Sequence, residues 1–237
     1  MQAVILAAGT SNRLLPLTEE VHKCMLRVGQ RMIIEHQLAA LESRAIGPIC
    51  VVTGHGGERL REAIAGRARA IHNPRYAETN SMYSLWLARE AVSEGFVLLN
   101  GDVLFDPRLL DRLLEWPYPD ALLVDFRDDL DDPELMLVRV AGDRLVEISK
   151  EIPAAAAHGE NVGLLKFGAQ GARRLFAKAG ELVAAGIVHQ WAPCIYNAMA
   201  AEYPLHTIPT DGLPWIDIDF PEDLERAGRD LALCLPQ

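Results

Sequence analysis

The chain has 237 residues, of which 50% are hydrophobic and 24% charged, with a formal charge of −10 from 23 basic and 33 acidic side chains. That composition is too apolar for intrinsic disorder, and a chain this long can bury a core without disulfide or metal staples. The acidity and the lack of any Lys/Arg run argue against nucleic acid as partner. No apolar run approaches the ~20 residues a bilayer crossing needs, so no membrane partner is expected, and MQAVILAAG carries no basic leader. A cytoplasmic globular protein is expected. Its four cysteines (Cys24, Cys50, Cys194, Cys234) form no CxxC pair, which disfavours zinc and thioredoxin chemistry.

In chain order, the β-branched run AVILAA at 3–8 reads as a strand covered on both faces. Ile33, Ile34, Gln37, Leu38 and Leu41 place an apolar stripe on a helix. ICVVTG at 49–54 is a second strand, Leu60 and Ile64 mark a helix, and ARAIHN at 68–73 is a third strand. Asn80 to Val92 is helical, and FVLLNGD at 96–102 is a fourth strand running into an acidic loop. After Pro107 a helix carries Leu109, Leu110, Leu113 and Leu114. ALLVDF, LMLVRV and RLVEIS then read as neighbouring strands, and Ala169 to Ala185 as a helix. WIDIDF at 215–220 precedes a last helix through Leu224, Ala227 and Leu231. The pattern predicts an α/β fold: a Rossmann-like mixed, mostly parallel sheet flanked by helices, with a small acceptor-side β region. One domain spans 1–237, in two halves at 1–118 and 119–237.

Three constellations carry chemistry. In LAAGTSNRL, Gly9 ends a strand and lets backbone N–H groups approach a ligand. Thr10, Ser11 and Asn12 keep the loop open, and Arg13 and Lys23 supply two cations for a polyphosphate. The spacing fits neither GxGxxG nor the Walker loop. Second, Asp102 of NGD should project beyond the carboxyl end of its strand, where ligands bind in open α/β sheets, as a Mg²⁺ ligand. Third, alternation puts Asp217 and Asp219 on one face of a strand, where they could complete that metal site; one of the two is expected to be simply solvent-exposed. His55, His72, His158, His189 and His206 are set aside as packing or surface residues, Trp86 as core, and the acids from Asp125 to Asp132 as a solvated turn.

LAAGTSNRL with its downstream lysine resembles the signature of the nucleotidyltransferase (sugar-nucleotide pyrophosphorylase) superfamily. HKCML at 22–26, NPRYAETNSMYSL at 73–85, GENVGLLKF at 159–167 and WIDIDFPEDLERA resemble the phosphocholine and 2-aminoethylphosphonate cytidylyltransferase branch. The resemblance implies transfer of CMP from CTP to a small phosphorylated or phosphonate acceptor, with Mg²⁺ as cofactor; homodimer formation stays open. Leu6, Ala7, Ala8, Gly9, Thr10 and Ser11 would line the nucleotide, and Asn80, Ser81 and Ser84 would read the base. Arg13, Lys23 and Asp102 would be catalytic, with Asp102 and Asp219, and with them Asp217, as metal ligands. Lys150 would face the acceptor, and Glu160 and Gly163 would fall in its loop. A choline-like ammonium could rest on Trp191, Tyr196 or Trp215. The sequence departs from the superfamily pattern at Ser11, where a second glycine is usual, at His22, where proline is usual although His-Lys also suits the choline-type branch, and at Gln190-Trp191-Ala192, which lacks an expected acid. The alternatives are a sugar-1-phosphate or inositol-phosphate nucleotidyltransferase, or a nucleotide-binding homologue without catalysis.

Overall fold

A computed structural model describes residues 1–230; Leu231 and Cys234 lie outside the described residues. The strands are β1 (Gln2–Ala7), the short ribbon β2 (Arg27–Val28) and β3 (Arg31–Met32), β4 (Ile49–Thr53), β5 (Arg69–His72), β6 (Phe96–Asn100) and β7 (Val103–Phe105). They continue as β8 (Ala121–Asp125), β9 (Leu137–Ala141), β10 (Arg144–Ser149), β11 (Gly159–Phe167), β12 (His206–Pro209) and β13 (Trp215–Asp217). The helices are α1 (Ile33–Glu42), α2 (Gly57–Ala63), α3 (Ser81–Leu87), α4 (Pro107–Glu115), α5 (Ala169–Ala184), α6 (Pro193–Ala200) and α7 (Pro221–Asp230).

Nine strands make one sheet in the order β5-β4-β1-β6-β11-β8-β12-β10-β9. The first four run parallel, as the continuous apolar runs predict, and antiparallel pairing begins where β11 joins β6. β11 also pairs β9 through Gly159–Val138 and Glu160–Leu137, so the second half curls back on itself.

Period-two alternation explains why the sheet is covered on both faces. Ala3, Ile5 and Ala7 of β1 join Val97 and Leu99 of β6 in one core, where Leu38 and Leu41 of α1, Leu60 of α2 and the leucines of α4 pack. Val4 and Leu6 join Phe96 and Leu98 in the other, against α3, α5 and α6. Each of the fully buried leucines contributes about 1.5–3 kcal/mol relative to exposure.

Four expectations change. ALLVDF is not beside the other two second-half strands, because β12 lies between β8 and β10. GENVGLLKF is not an acceptor loop but the central strand β11, nearly every residue of it buried. The acidic loop after FVLLN is a tight turn into β7, whose partner is β13. Asn80 caps α3 rather than starting it, its side chain accepting the Ser81 N–H. Among the described residues no helix is long and apolar enough to cross a membrane.

Candidate active site

A cleft of about 470 Å³ opens beyond the carboxyl ends of β1 and β6, the position at which open α/β sheets bind ligands. Its walls hold Leu6, Ala8, Gly9, Thr10, Ser11, Arg13 and Lys23 from the first loop, and Asn80, Ser81 and Ser84 from the start of α3. The second half contributes Lys150, Glu160, Trp191 and Tyr196, and Asp102, Asp217 and Asp219 also face in. Trp191 stands at the rim, 47% exposed, and Tyr196 at the buried floor.

The acids meet because β7 and β13 pair. Val103 stands opposite Asp217, and the Ile218 amide donates to the Asp102 carbonyl at 3.1 Å. Strand pairing thus brings together residues 115 positions apart in sequence. One carboxylate oxygen from each of Asp102, Asp217 and Asp219 lies within 4.8 Å of the others. Into them reaches the Lys23 ammonium, 2.7 Å from Asp102 Oδ2 and 2.6 Å from Asp219 Oδ1. Burial opposes its charge, but Asp102, Asp217 and Asp219 outweigh that and raise its pKa. Burial, then the charge on Asp102, pushes the Asp217 carboxyl well above the usual carboxylate range. Asp219 is buried too, yet Lys23 and Arg13 hold its pKa down.

The expectation that one of Asp217 and Asp219 would be a solvent-exposed bystander therefore fails, for both face the cluster. Asp102 Oδ1 and Asp217 Oδ1 are buried with no hydrogen-bond partner. Buried carboxylate oxygens without partners are costly, and three converging hard oxygen ligands fit a small divalent cation.

Arg13 Nη2 is 2.6 Å from Asp219 Oδ2, its Nη1 pairs with Glu134 Oε2, and its guanidinium lies over Phe220, 5.1 Å from the ring centroid. Lys150 Nζ is 3.0 Å from the same Glu134 oxygen and 5.6 Å from the Trp191 ring centroid. Glu160 pairs with Arg127 at 2.5 Å. Ser11 takes a left-handed backbone, φ 57 and ψ 33, which accounts for glycine at this place in the motif.

Three expected site residues do not line the cleft. Ala7 points into the opposite core, one residue out of phase with Leu6 and Ala8. Trp215 likewise packs on that core, and its indole N–H donates to Asp125 Oδ2 at 3.3 Å. Gly163 sits in the irregular part of β11 at φ +79, where a Cβ would stand 2.6 Å from Asn100 Nδ2. Its role is to admit the Asn100 side chain, not an acceptor. Conversely, His22, Tyr76, Thr79, Asn100, Glu134, Met136 and Asn161 border the cleft and were not singled out as site residues. Tyr76 and Thr79 stand within NPRYAETNS and Asn100 within NGD, both already marked as motifs; Glu134 and Met136 follow an acidic turn with no signal of their own. Of the set-aside histidines, His55 bonds the Thr18 carbonyl and His206 stacks on Tyr118 beside Asp143.

Residues 3–198 match the model of the MobA-like NTP transferase domain. A choline-phosphate cytidylyltransferase of Streptococcus pneumoniae is 35% identical over 108 residues, 44% of this chain and 46% of that protein; the match therefore spans under half of that relative. The CTP:phosphoglutamine cytidylyltransferase of Campylobacter jejuni is 25% identical across 95% of this chain and 98% of its own. A solved structure of the S. pneumoniae CTP:phosphocholine cytidylyltransferase shares the fold, with TM-score 0.80 at 22% identity over 97% of this chain and 98% of that one.

Proposed function

The chain belongs to the MobA-like NTP transferase family, and on that premise we propose that it transfers the cytidylyl group of CTP to a small acceptor, releasing pyrophosphate. The acceptor is of the phosphocholine or 2-aminoethylphosphonate type. The observation that carries this reading is the convergence on one cleft of Lys23 and Arg13 with three acids and, across from them, Lys150. The names of two relatives, one aligning with 95% of this chain and the other with 44%, specify cytidylyl transfer, which supports the choice of nucleotide.

The acceptor's phosphoryl or phosphonyl oxygen attacks the α-phosphorus of CTP. A P–O bond forms there, and the bond to the β-phosphate breaks, its electron pair leaving on pyrophosphate. No protein nucleophile is needed, so the side chains act by positioning and by neutralising charge. Arg13 and Lys23 serve the triphosphate. Lys150 serves the acceptor's anion, which otherwise meets CTP against charge repulsion. The small side chains of Ala8, Ser81 and Ser84 with Asn80 leave a shallow base site suited to a pyrimidine. Asp102, Asp217 and Asp219 would hold Mg²⁺, whose bound charge would neutralise phosphate oxygens. Trp191 and Tyr196 offer aromatic surface to the acceptor's other end, a cation–π contact worth roughly 0.5–2 kcal/mol.

The test is pyrophosphate release from a panel of nucleoside triphosphates with Mg²⁺ and, in turn, phosphocholine, 2-aminoethylphosphonate or a sugar-1-phosphate. CTP should lead, with some leakage to UTP, since a lost hydrogen bond to the 4-amino group is worth only a few kcal/mol. Equal turnover with GTP would refute the base site, and turnover only with sugar-1-phosphates would refute the acceptor.

A further inference from the structure

His22 occupies the place where the motif has proline, and its backbone keeps proline's φ at −69°. The imidazole therefore adds something to an unchanged loop. It is 2% exposed and lines the cleft. Its Nδ1 accepts the Cys24 N–H at 3.1 Å, and a neutral ring that accepts at Nδ1 carries its hydrogen on Nε2. That is its one side-chain hydrogen bond among the described residues. Nε2 lies beside the bare Cα of Gly9, where an added Cβ would stand 3.9 Å away and meet nothing closer.

We infer that His22 is a nucleotide-binding residue: its Nε2–H, held in the donor tautomer by Cys24, donates to an oxygen of the nucleotide seated against Gly9. The inference rests on the reading of this cleft as the CTP site. Burial, with the charges of Lys23 and His55 adding to it, pushes the ring's pKa down to about 3. The donor is thus present and uncharged at every working pH. Lys23, its chain neighbour, supplies charge; His22 supplies direction, because a hydrogen bond from a fixed ring is far more orientation-dependent than an ammonium's attraction.

The rival role is a purely local cap on Cys24. His22→Asn separates the two, because its carboxamide oxygen can still accept the N–H two residues on while its side chain ends short of Nε2. CTP binding to the full chain is measured by calorimetry with Mg²⁺ present, alongside thermal unfolding. His22→Asn should keep the wild-type melting temperature within about 2 °C and weaken CTP about tenfold, the worth of one hydrogen bond to a charged acceptor. His22→Pro, which keeps the backbone angle, should weaken CTP equally. Inorganic tripolyphosphate and cytidine as separate ligands identify the oxygen: a loss confined to tripolyphosphate places the donor on a phosphate, and one confined to cytidine places it on the nucleoside. Wild-type affinity for CTP in both variants would overturn the inference. A wild type that binds no CTP would overturn the reading of the cleft itself.

Discussion

Glu134 joins Arg13 to Lys150: its Oε2 pairs with the Arg13 guanidinium and lies 3.0 Å from the Lys150 ammonium. Arg13 and the cation at the end of β10 thereby share one carboxylate. Arg13 and Glu134 are both nearly half exposed, so the arrangement adds at most about 1 kcal/mol to stability. Phosphate oxygens must compete with Glu134 for the same donors. Glu134→Gln should lower the KM for CTP and for the acceptor about two- to fivefold and shift the melting temperature by less than about 2 °C. A tenfold rise in either KM would show instead that Glu134 itself holds substrate.

The two lysines should separate kinetically. Lys23 sits among the acids of the cluster, whereas Lys150 pairs with Glu134 and lies against the Trp191 ring. Lys150→Ala should raise the KM for the acceptor far more than that for CTP. Lys23→Ala should depress kcat itself, on the order of 10²–10³, the usual cost of one lost charge-stabilising donor. Steady-state kinetics with both substrates varied decide this, and an unchanged acceptor KM in Lys150→Ala removes Lys150 from the acceptor site.

As a proposed metal ligand, Asp217 would trade stability for function. Its Oδ1 is buried without a partner, and Asp102 and Asp219 crowd it. Asp217→Asn relieves that repulsion in the metal-free protein, by about 1 kcal/mol, which for a chain of this size raises the melting temperature by about 2–4 °C. The same change should cut turnover by at least a hundredfold and blunt the stabilisation that added Mg²⁺ gives the wild type. A fall in the melting temperature without metal would show that Asp217 is a structural acid.

The sequence made the first half of the chain legible because its signals are local. Continuous apolar runs marked β1, β4 and β6, and the loop after β1 announced Gly9, Arg13 and Lys23 at the carboxyl end of a strand. Asp102, Asp217 and Asp219 were each visible beside a strand, although their mutual contact depends on the β7–β13 pairing, which no local pattern encodes. The second half was harder to read. β11 is buried on both faces and interrupted by glycine, so it lacks alternation and resembles a loop. Ala7 was assigned with its motif and Trp215 as an aromatic surface for an ammonium, whereas strand phase turns both side chains away. Glu134 enters through the fold of the second half alone.

Ser11 tests the motif's second glycine directly. Its left-handed backbone, φ 57, costs a residue with a Cβ about 1 kcal/mol, a cost glycine avoids. Its hydroxyl returns little, accepting the Lys23 amide at a long 3.4 Å. Ser11→Gly should therefore be neutral to stabilising by several tenths of a kcal/mol, and Ser11→Val destabilising by more than about 1 kcal/mol, because β-branched side chains tolerate this region worst. Chemical denaturation of the two variants checks it; equal stabilities would mean the loop relaxes out of the left-handed conformation.

Glu160 sets a pH dependence of stability with a definite sign. Burial, aided by the nearby charges of Asp125 and Asp132, pushes its carboxyl up to about 7, against the pull of Arg127. The ion pair at 2.5 Å would by itself lower the value, but the Arg127 side chain is 40% exposed and so screened, while that of Glu160 is only 12% exposed. Below about pH 4.5 the carboxyl is protonated in the folded and unfolded chain alike, and its full contribution is present. Between about 4.5 and 7 the unfolded chain has lost that proton and the folded chain retains it, so stability falls as pH rises. The fall ends near pH 7 and amounts to at most about 3 kcal/mol. Glu160→Gln keeps the shape of the side chain and abolishes the titration. Melting temperatures of wild type and Glu160→Gln across pH 4–8 should diverge steadily, the wild type losing ground to the variant as pH rises and the gap becoming constant above about pH 7. Parallel curves, or a wild type that gains on the variant with rising pH, would show that Glu160 is ionised in the folded chain and that the pair with Arg127 dominates its surroundings.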